Sequence, residues 1–266
     1  MLTNYHTHTT FCDGKNTPEE VVLAAIKEGL DILGFSSHSH VPFDPRYCLK
    51  DTVGYIKEIL RLKGKYKDKI EILLGIEEDT AALCNRADLD YIIGSCHFTF
   101  KDGVLLPIDN DLDSFRECLD LWGGDYLGMA EEYYSRFTGY IKKRRPDIIG
   151  HFDLITKFDD VSDLSLGKIS EYNKIAEKYV REALTAECVF EVNTGAISRG
   201  YRKTPYPYEN LLHIIRKNGG RVILNSDSHS KDTLTCSFDF TRQLLKDVGF
   251  KKVSILRKEG FTEEDI

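Results

Sequence analysis

Seven of the eight histidines in this chain stand directly after short apolar runs, and that placement limits the folds open to it. The runs Leu2–Tyr5, Ile32–Phe35, Tyr91–Ser95 and Ile148–Gly150 lead into His6/His8, His38/His40, His97 and His151. Arg221–Leu224 leads into Asp227 and His229, Ile70–Ile76 into Glu77, and Val189–Val192 into the pair Glu191/Asn193. Only His213 falls inside a predicted helix. Histidines scattered at random would fall in helices and helix-to-strand loops at least as often. In a closed parallel βα barrel every strand C-terminus opens on one face, and that face carries the active site.

The segments between these runs have helical character. Thr17-Pro18-Glu19-Glu20 reads as a capping box with Pro at the first helical position; Val21, Val22, Ala25 and Ile26 give the buried face, and Gly29 the stop. Further helices are predicted over Asp51–Lys65 (with Val53, Ile56, Ile59 and Leu60 on one side), Ser114–Trp122, Tyr126–Lys143, Lys168–Glu187, Tyr208–Asn218 and Phe240–Val248. The stretch Lys101–Arg145 reads as mostly helical until Pro146, Thr194–Pro207 as a loop, and Val253–Leu256 as a candidate eighth strand. Alternating βα units predict an α/β fold, with residues 1–266 forming a single domain.

Two imidazoles one residue apart, His6 and His8, project to the same side of a strand end. Asp13-Gly14 forms a turn that can return a carboxylate to them. Two imidazoles and a carboxylate are half of a metal site; alone, they could equally be an exposed strand end. A net charge of −7 argues against a general nucleic-acid or anionic-membrane binder, though not against a small anionic substrate held by a local cation cluster. No apolar run reaches the roughly 18 residues of a membrane span. The N-terminus lacks a basic, then apolar, leader, and the seven cysteines show no C-x-x-C spacing. These features predict reduced thiols and a cytoplasmic location.

Taken together, H-x-H-T with Asp13, a histidine after the second strand, a glutamate after the third, G-S-x-H, G-H-x-D and a closing S-D-x-H resemble the polymerase-and-histidinol-phosphatase (PHP) superfamily. The order and spacing match over essentially the whole chain. The length, the G-H-F-D-L segment and the N-T-x-x-x-x-R loop are similar to its histidinol-phosphatase branch. The resemblance implies a distorted seven-stranded, TIM-like βα barrel with three divalent metals, variously Zn, Fe or Mn. One metal would take His6, His8, Glu77 and Asp227; a second, the bridging Glu77 with His97 and His151; a third, Asp13, His38 and His229. Many members carry Asp before the second-strand histidine, where this chain has Ser37, so the third metal is expected to be held more weakly.

The activity so implied is hydrolysis of a small phosphate monoester, L-histidinol phosphate, in histidine biosynthesis, by a metal-bound hydroxide attacking phosphorus in line. Arg199, in the loop after the sixth strand, is expected to offer a guanidinium fork to the phosphate. His40, unused as a ligand, is a candidate to contact phosphate or protonate the leaving group. Arg202 and Lys203 are read as rim charges, Asp153 as a supporting group, and Cys12 and Cys96 as packing residues. The alternatives are a PHP-type protein-tyrosine phosphatase, a nuclease (disfavoured by the acidic charge) and a non-catalytic metal-binding domain.

Overall fold

The computed structural model describes residues 1–266. Its first half runs β1 (Thr3–Asn4), α1 (Pro18–Glu28), β2 (Ile32–Phe35), α2 (Thr52–Lys65), β3 (Glu71–Asp79) and β4 (Tyr91–Ser95). A hairpin of β5 (Phe98–Lys101) and β6 (Val104–Pro107) follows, then α3 (Leu112–Leu121) and α4 (Tyr126–Arg144). The second half runs β7 (Ile148–Ile149), α5 (Ser170–Leu184), β8 (Val189–Asn193), α6 (Gly195–Ser198), α7 (Glu209–Lys217), β9 (Val222–Asn225) and α8 (Phe238–Val248). The chain closes with β10 (Lys252–Arg257) and β11 (Gly260–Asp265).

Seven strands pair in parallel in the order β1-β2-β3-β4-β7-β8-β9. A parallel bridge between Thr7 and Ser228 nearly closes the sheet on itself, with His8 N donating to Ser228 O at 2.8 Å and Ser228 N to His6 O at 3.0 Å. The architecture is the expected α/β, TIM-like seven-stranded barrel. No helix is long and apolar enough to cross a membrane.

Local signals explain several element ends. Thr17 Oγ1 accepts from Glu20 N, while Thr17 N donates to Glu20 Oε2 at 2.9 Å, so two otherwise unpaired helix-start donors are satisfied reciprocally. Helix α1 ends at Gly29, at φ 77°.

Four elements differ from expectation, one being α6 (Gly195–Ser198), a short helix inside the Thr194–Pro207 stretch read as a loop. Residues 98–107 form a hairpin, turning at Asp102 (φ 49°) and Gly103 (φ 86°); this Asp-Gly pair is the two-residue turn that joins twisted antiparallel strands. Val253–Leu256 is no barrel strand: it lies in β10, antiparallel to β11. Helix α2 buries Tyr55, Ile59 and Leu62 and leaves Val53 and Leu60 exposed, because the Tyr55 ring, once covered, packs as an apolar group and turns the inner face toward itself.

Period-two alternation stratifies the barrel interior. Near the strand starts, Tyr5, Ile32, Leu73, Tyr91, Ile93, Ile148, Val189 and Ile223 form one apolar cluster, closed from below by Ile255 and Leu256 of β10. Leu256 N donates to the Tyr5 hydroxyl at 3.1 Å. Above Leu73 lies Gly75, where a Cβ would come within 2.4 Å of the Tyr91 ring. The missing side chain lets that ring cross the barrel so that its hydroxyl can donate to Phe35 O at 3.0 Å. Further along the chain from this layer, two residues after Val189 and four after Leu73, Ile93 and Ile223, the inward positions become Glu191, Glu77, His97 and Asp227. The outer strand faces pack against the helices in two larger apolar clusters.

Candidate metal centre and cavity

All nine residues expected to hold metal converge at the C-terminal ends of the strands. Glu77 lies at their centre. Its Oε2 is 3.2 Å from His6 Nε2 and 3.5 Å from His8 Nε2; its Oε1 is 2.9 Å from His151 Nε2 and 3.2 Å from His97 Nε2. Asp227 Oδ1 stands 3.3 Å from His8 Nε2 and 3.7 Å from His6 Nε2. Asp13 lies 3.2 Å from His229 Nε2 and 3.7 Å from both His38 Nε2 and His8 Nδ1.

The Asp13 turn closes tightly on the first strand. Cys12 N and Gly14 N both donate to Thr9 O, and a Cβ on Gly14 would lie 2.4 Å from the His8 carbonyl carbon. Glycine is therefore required for the carboxylate to return to the imidazoles.

The donor set fits divalent cations on the chemistry of its own atoms. His6 Nε2, His8 Nε2 and Glu77 Oε2 are buried and hydrogen-bonded to nothing. Buried polar atoms without partners are costly, and here they face one another at ligand-cluster spacing. Four groups of donors could each hold an ion: His6/His8/Asp227, His6/Glu77/His151, His38/Glu77/His97 and His8/Asp13/His38/His229. His38 belongs to two of them, with Nδ1 2.8 Å from Glu77 Oε2 and Nε2 toward Asp13. No hydrogen bond joins Ser37 Oγ to the His38 imidazole, so Ser37 does not take over the orienting part expected of an aspartate there.

The electrostatics follow from packing these charges together. Burial opposes the ionised form of Glu77, but the imidazoles of His38, His6 and His97 outweigh it and hold the carboxyl well below its usual range. Asp227 is likewise held low against burial, by Arg199 and His6. His8 is lowered too, to about 3, but there the shift favours the neutral form, because the ring is buried and faces His229 and His38.

Second contacts fix the imidazoles, and sequence reasoning assigned them no role. Glu191 Oε1 is 2.7 Å from His6 Nδ1 and accepts from Asn225 Nδ2; its Oε2 accepts from His151 N and Asn193 Nδ2. A carboxylate so placed keeps the His6 proton on Nδ1 and aims Nε2 at Glu77. Asp79 does the same for His97, with Oδ2 3.0 Å from Nδ1. The available signal was spacing: Asp79 is two residues beyond Glu77 on β3, and Glu191 shares an inward face with Val189.

His40 is the exception among the expected site residues. It is exposed, its Nδ1 lies 2.9 Å from Leu49 O, and it does not line the cavity. The last β2–β3 bridge is at His38, beyond which the two-residue alternation no longer holds His40 inward. This departs from the expectation of a residue that contacts phosphate or protonates the leaving group: the structure turns His40 out of the cavity.

Arg199 lines the cavity, but its fork is engaged. Nη2 donates to Asp227 Oδ2 and Nη1 to Asp227 O, both at 2.9 Å. Arg202 is no rim charge: it is buried 3.5 Å from Asp153 Oδ2, with its guanidinium 3.8 Å from the Tyr208 ring centroid and 4.4 Å from that of Tyr206. Lys203 is exposed, as expected.

The cluster floors a cavity of about 240 Å³ whose wall adds Tyr47, Phe98, Asp109, Asn110, Lys157 and Tyr201.

Fold and site together define a parallel βα-barrel protein whose strand C-termini gather imidazole and carboxylate donors able to hold metal ions. The chain belongs to the PHP domain family, whose model matches residues 4–195. It is 26% identical to the Schizosaccharomyces pombe protein named "Probable histidinol-phosphatase" over 97% of this chain and 90% of that one. It is also 26% identical to the histidinol-phosphatase of Lactococcus lactis, over 94% and 93% of the two chains. The crystal structure of the L. lactis histidinol phosphate phosphatase, complexed with Zn, L-histidinol and phosphate, superposes with a TM-score of 0.73 at 23% identity, covering 98% of both chains. At that identity the superposition speaks for the fold.

Proposed function

We propose that this protein is a histidinol-phosphatase, hydrolysing L-histidinol phosphate to L-histidinol and phosphate in histidine biosynthesis, with residues 1–266 acting as one catalytic domain. The observation that carries the reaction class is the division of Glu77, one oxygen toward His6 and His8 and the other toward His97 and His151. A carboxylate so shared is suited to bridging two cations. His6, His8, Glu77 and Asp227 would hold the first ion, Glu77, His97 and His151 the second, and Asp13, His38 and His229 a third. When bound, divalent ions of the Zn, Fe or Mn kind supply a nucleophilic water at neutral pH and neutralise the phosphoryl oxygens.

The remaining residues position and balance charge. Glu191 and Asp79 hold the His6 and His97 imidazoles in one tautomer. Arg199 fixes Asp227 through two hydrogen bonds and keeps a cation beside the cavity, where it favours a dianionic ester. The substrate is supported by the similarity to curated histidinol-phosphatases over more than nine-tenths of the chain.

The test is steady-state hydrolysis of histidinol phosphate beside p-nitrophenyl phosphate and a phosphotyrosyl peptide, using protein of measured metal content. The expected result is a clear kcat/KM preference for histidinol phosphate. No preference over the generic ester would overturn the substrate, and a preference for the peptide would favour a tyrosine phosphatase.

A further inference from the structure

Lys157 and Asp109 line the cavity yet belong neither to the metal-competent groups nor to the Arg199–Asp227 pair. Lys157 follows the turn Leu154–Thr156 and is only 7% exposed. Its ammonium lies 5.1 Å from the Tyr201 ring centroid and 5.6 Å from that of Phe158. Its one hydrogen bond goes to the carbonyl of Asp109. The Asp109 carboxylate stands 3.7 Å from Lys157 Nζ, too far for a hydrogen bond, and accepts none from any protein group.

A buried ammonium is costly unless acceptors surround it. Burial pushes Lys157 down from the ordinary lysine value; Asp109 opposes this most strongly, with Asp227 and Asp13 adding to it, while Arg199 acts with burial. The cavity wall thus carries a cation and an anion, loosely paired, each with hydrogen-bonding capacity in reserve. A phosphate dianion would attract the first and leave the second to a cation on the same ligand.

We propose that Lys157 and Asp109 form a divided clamp that selects amino-alcohol phosphates, Lys157 donating to the phosphoryl group and Asp109 accepting from the substrate ammonium. This rests on the histidinol-phosphatase reading and assigns its selectivity to two residues. An ester carrying only the phosphate leaves Asp109 without a cation of its own. One carrying both charges satisfies both sides of the clamp.

The test compares histidinol phosphate with the same ester in which hydrogen replaces the amino group. In Asp109→Asn, the ratio of kcat/KM for the two esters falls about 10–100-fold, the usual loss for a charge-assisted hydrogen bond. The thermal shift that L-histidinol gives the metal-loaded wild type is lost in the same variant. In Lys157→Met, the inhibition constant of inorganic phosphate rises by about 10-fold or more, and Lys157→Arg recovers part of it. Circular dichroism and metal content matching wild type establish that each variant is folded and loaded.

Wild-type protein that hydrolyses histidinol phosphate no better than p-nitrophenyl phosphate removes the histidinol-phosphatase reading itself, whereas wild-type protein that prefers histidinol phosphate yet treats the two esters alike removes the clamp. Wild-type protein that discriminates, beside an Asp109→Asn variant that discriminates equally well, removes the clamp alone. An unchanged phosphate inhibition constant in Lys157→Met removes the part given to Lys157.

Discussion

Along β3 one inward-facing row passes from Leu73 through Gly75 to Glu77 and Asp79, so the two ends of the barrel are built by the same strands under opposite rules. At the lower end Leu73 joins seven other strand side chains and the β10 plug in an apolar cluster. Its stabilisation comes from area removed from water and from close packing. At the upper end the same direction places carboxylates and imidazoles at comparable depth, several without hydrogen-bond partners. That end costs stability and gains affinity for cations. The apolar end bears the cost of holding the polar end in position.

The comparison breaks most visibly at Glu77. Glu77→Gln should lower kcat/KM by more than about 100-fold and reduce bound metal, since even partners outside the ligand set typically cost 10–100-fold. Far-ultraviolet circular dichroism should stay that of wild type. Four residues earlier on the same strand, Leu73→Ala should cost about 2–5 kcal/mol of folding stability by opening a cavity. The kcat/KM of the protein that remains folded should change little; a loss as large as that of Glu77→Gln would show that the two ends are not separable.

A smaller effect is expected where a carboxylate acts through an imidazole. Glu191→Gln should weaken metal affinity by about 10–100-fold, read by titration against a chelator, because the His6 ring loses the acceptor that fixes it. Asp13→Asn should lower metal stoichiometry while the ion on His6 and His8 stays bound, which separates the outer group from the Glu77 pair. The smallest effect belongs to His40→Ala, whose turnover should stay within about twofold of wild type, as for a surface substitution. A large drop in kcat there would return His40 to the site.

What could be read in the chain depended on how local the signal was. Strands β2 and β4 have the boundaries read from their apolar runs, and the Thr17–Glu20 box starts α1 where expected, because both depend on neighbouring residues. The hairpin at Asp102-Gly103 is equally local, yet its turn signal lies within a stretch whose overall pattern reads as helix. The α2 face differs from expectation because a tyrosine behaves as apolar once its ring is covered, as that of Tyr55 is.

By itself the sequence determined that the histidines and acids would share one end of a parallel barrel, since strand alternation and βα connection leave only one face for strand exits. The first H-x-H and the Asp13-Gly14 turn were legible for the same reason. Only the tertiary structure decided which oxygen of Glu77 faces which imidazole, that Glu191 and Asp79 stand behind His6 and His97, that His40 turns outward and that Arg202 is buried. It also decided that the Arg199 fork holds Asp227, and that Lys157 meets Asp109 across 48 positions of sequence. Those pairings join strands and loops far apart in the chain, and their geometry exists only once the barrel has nearly closed and its helices have packed around it.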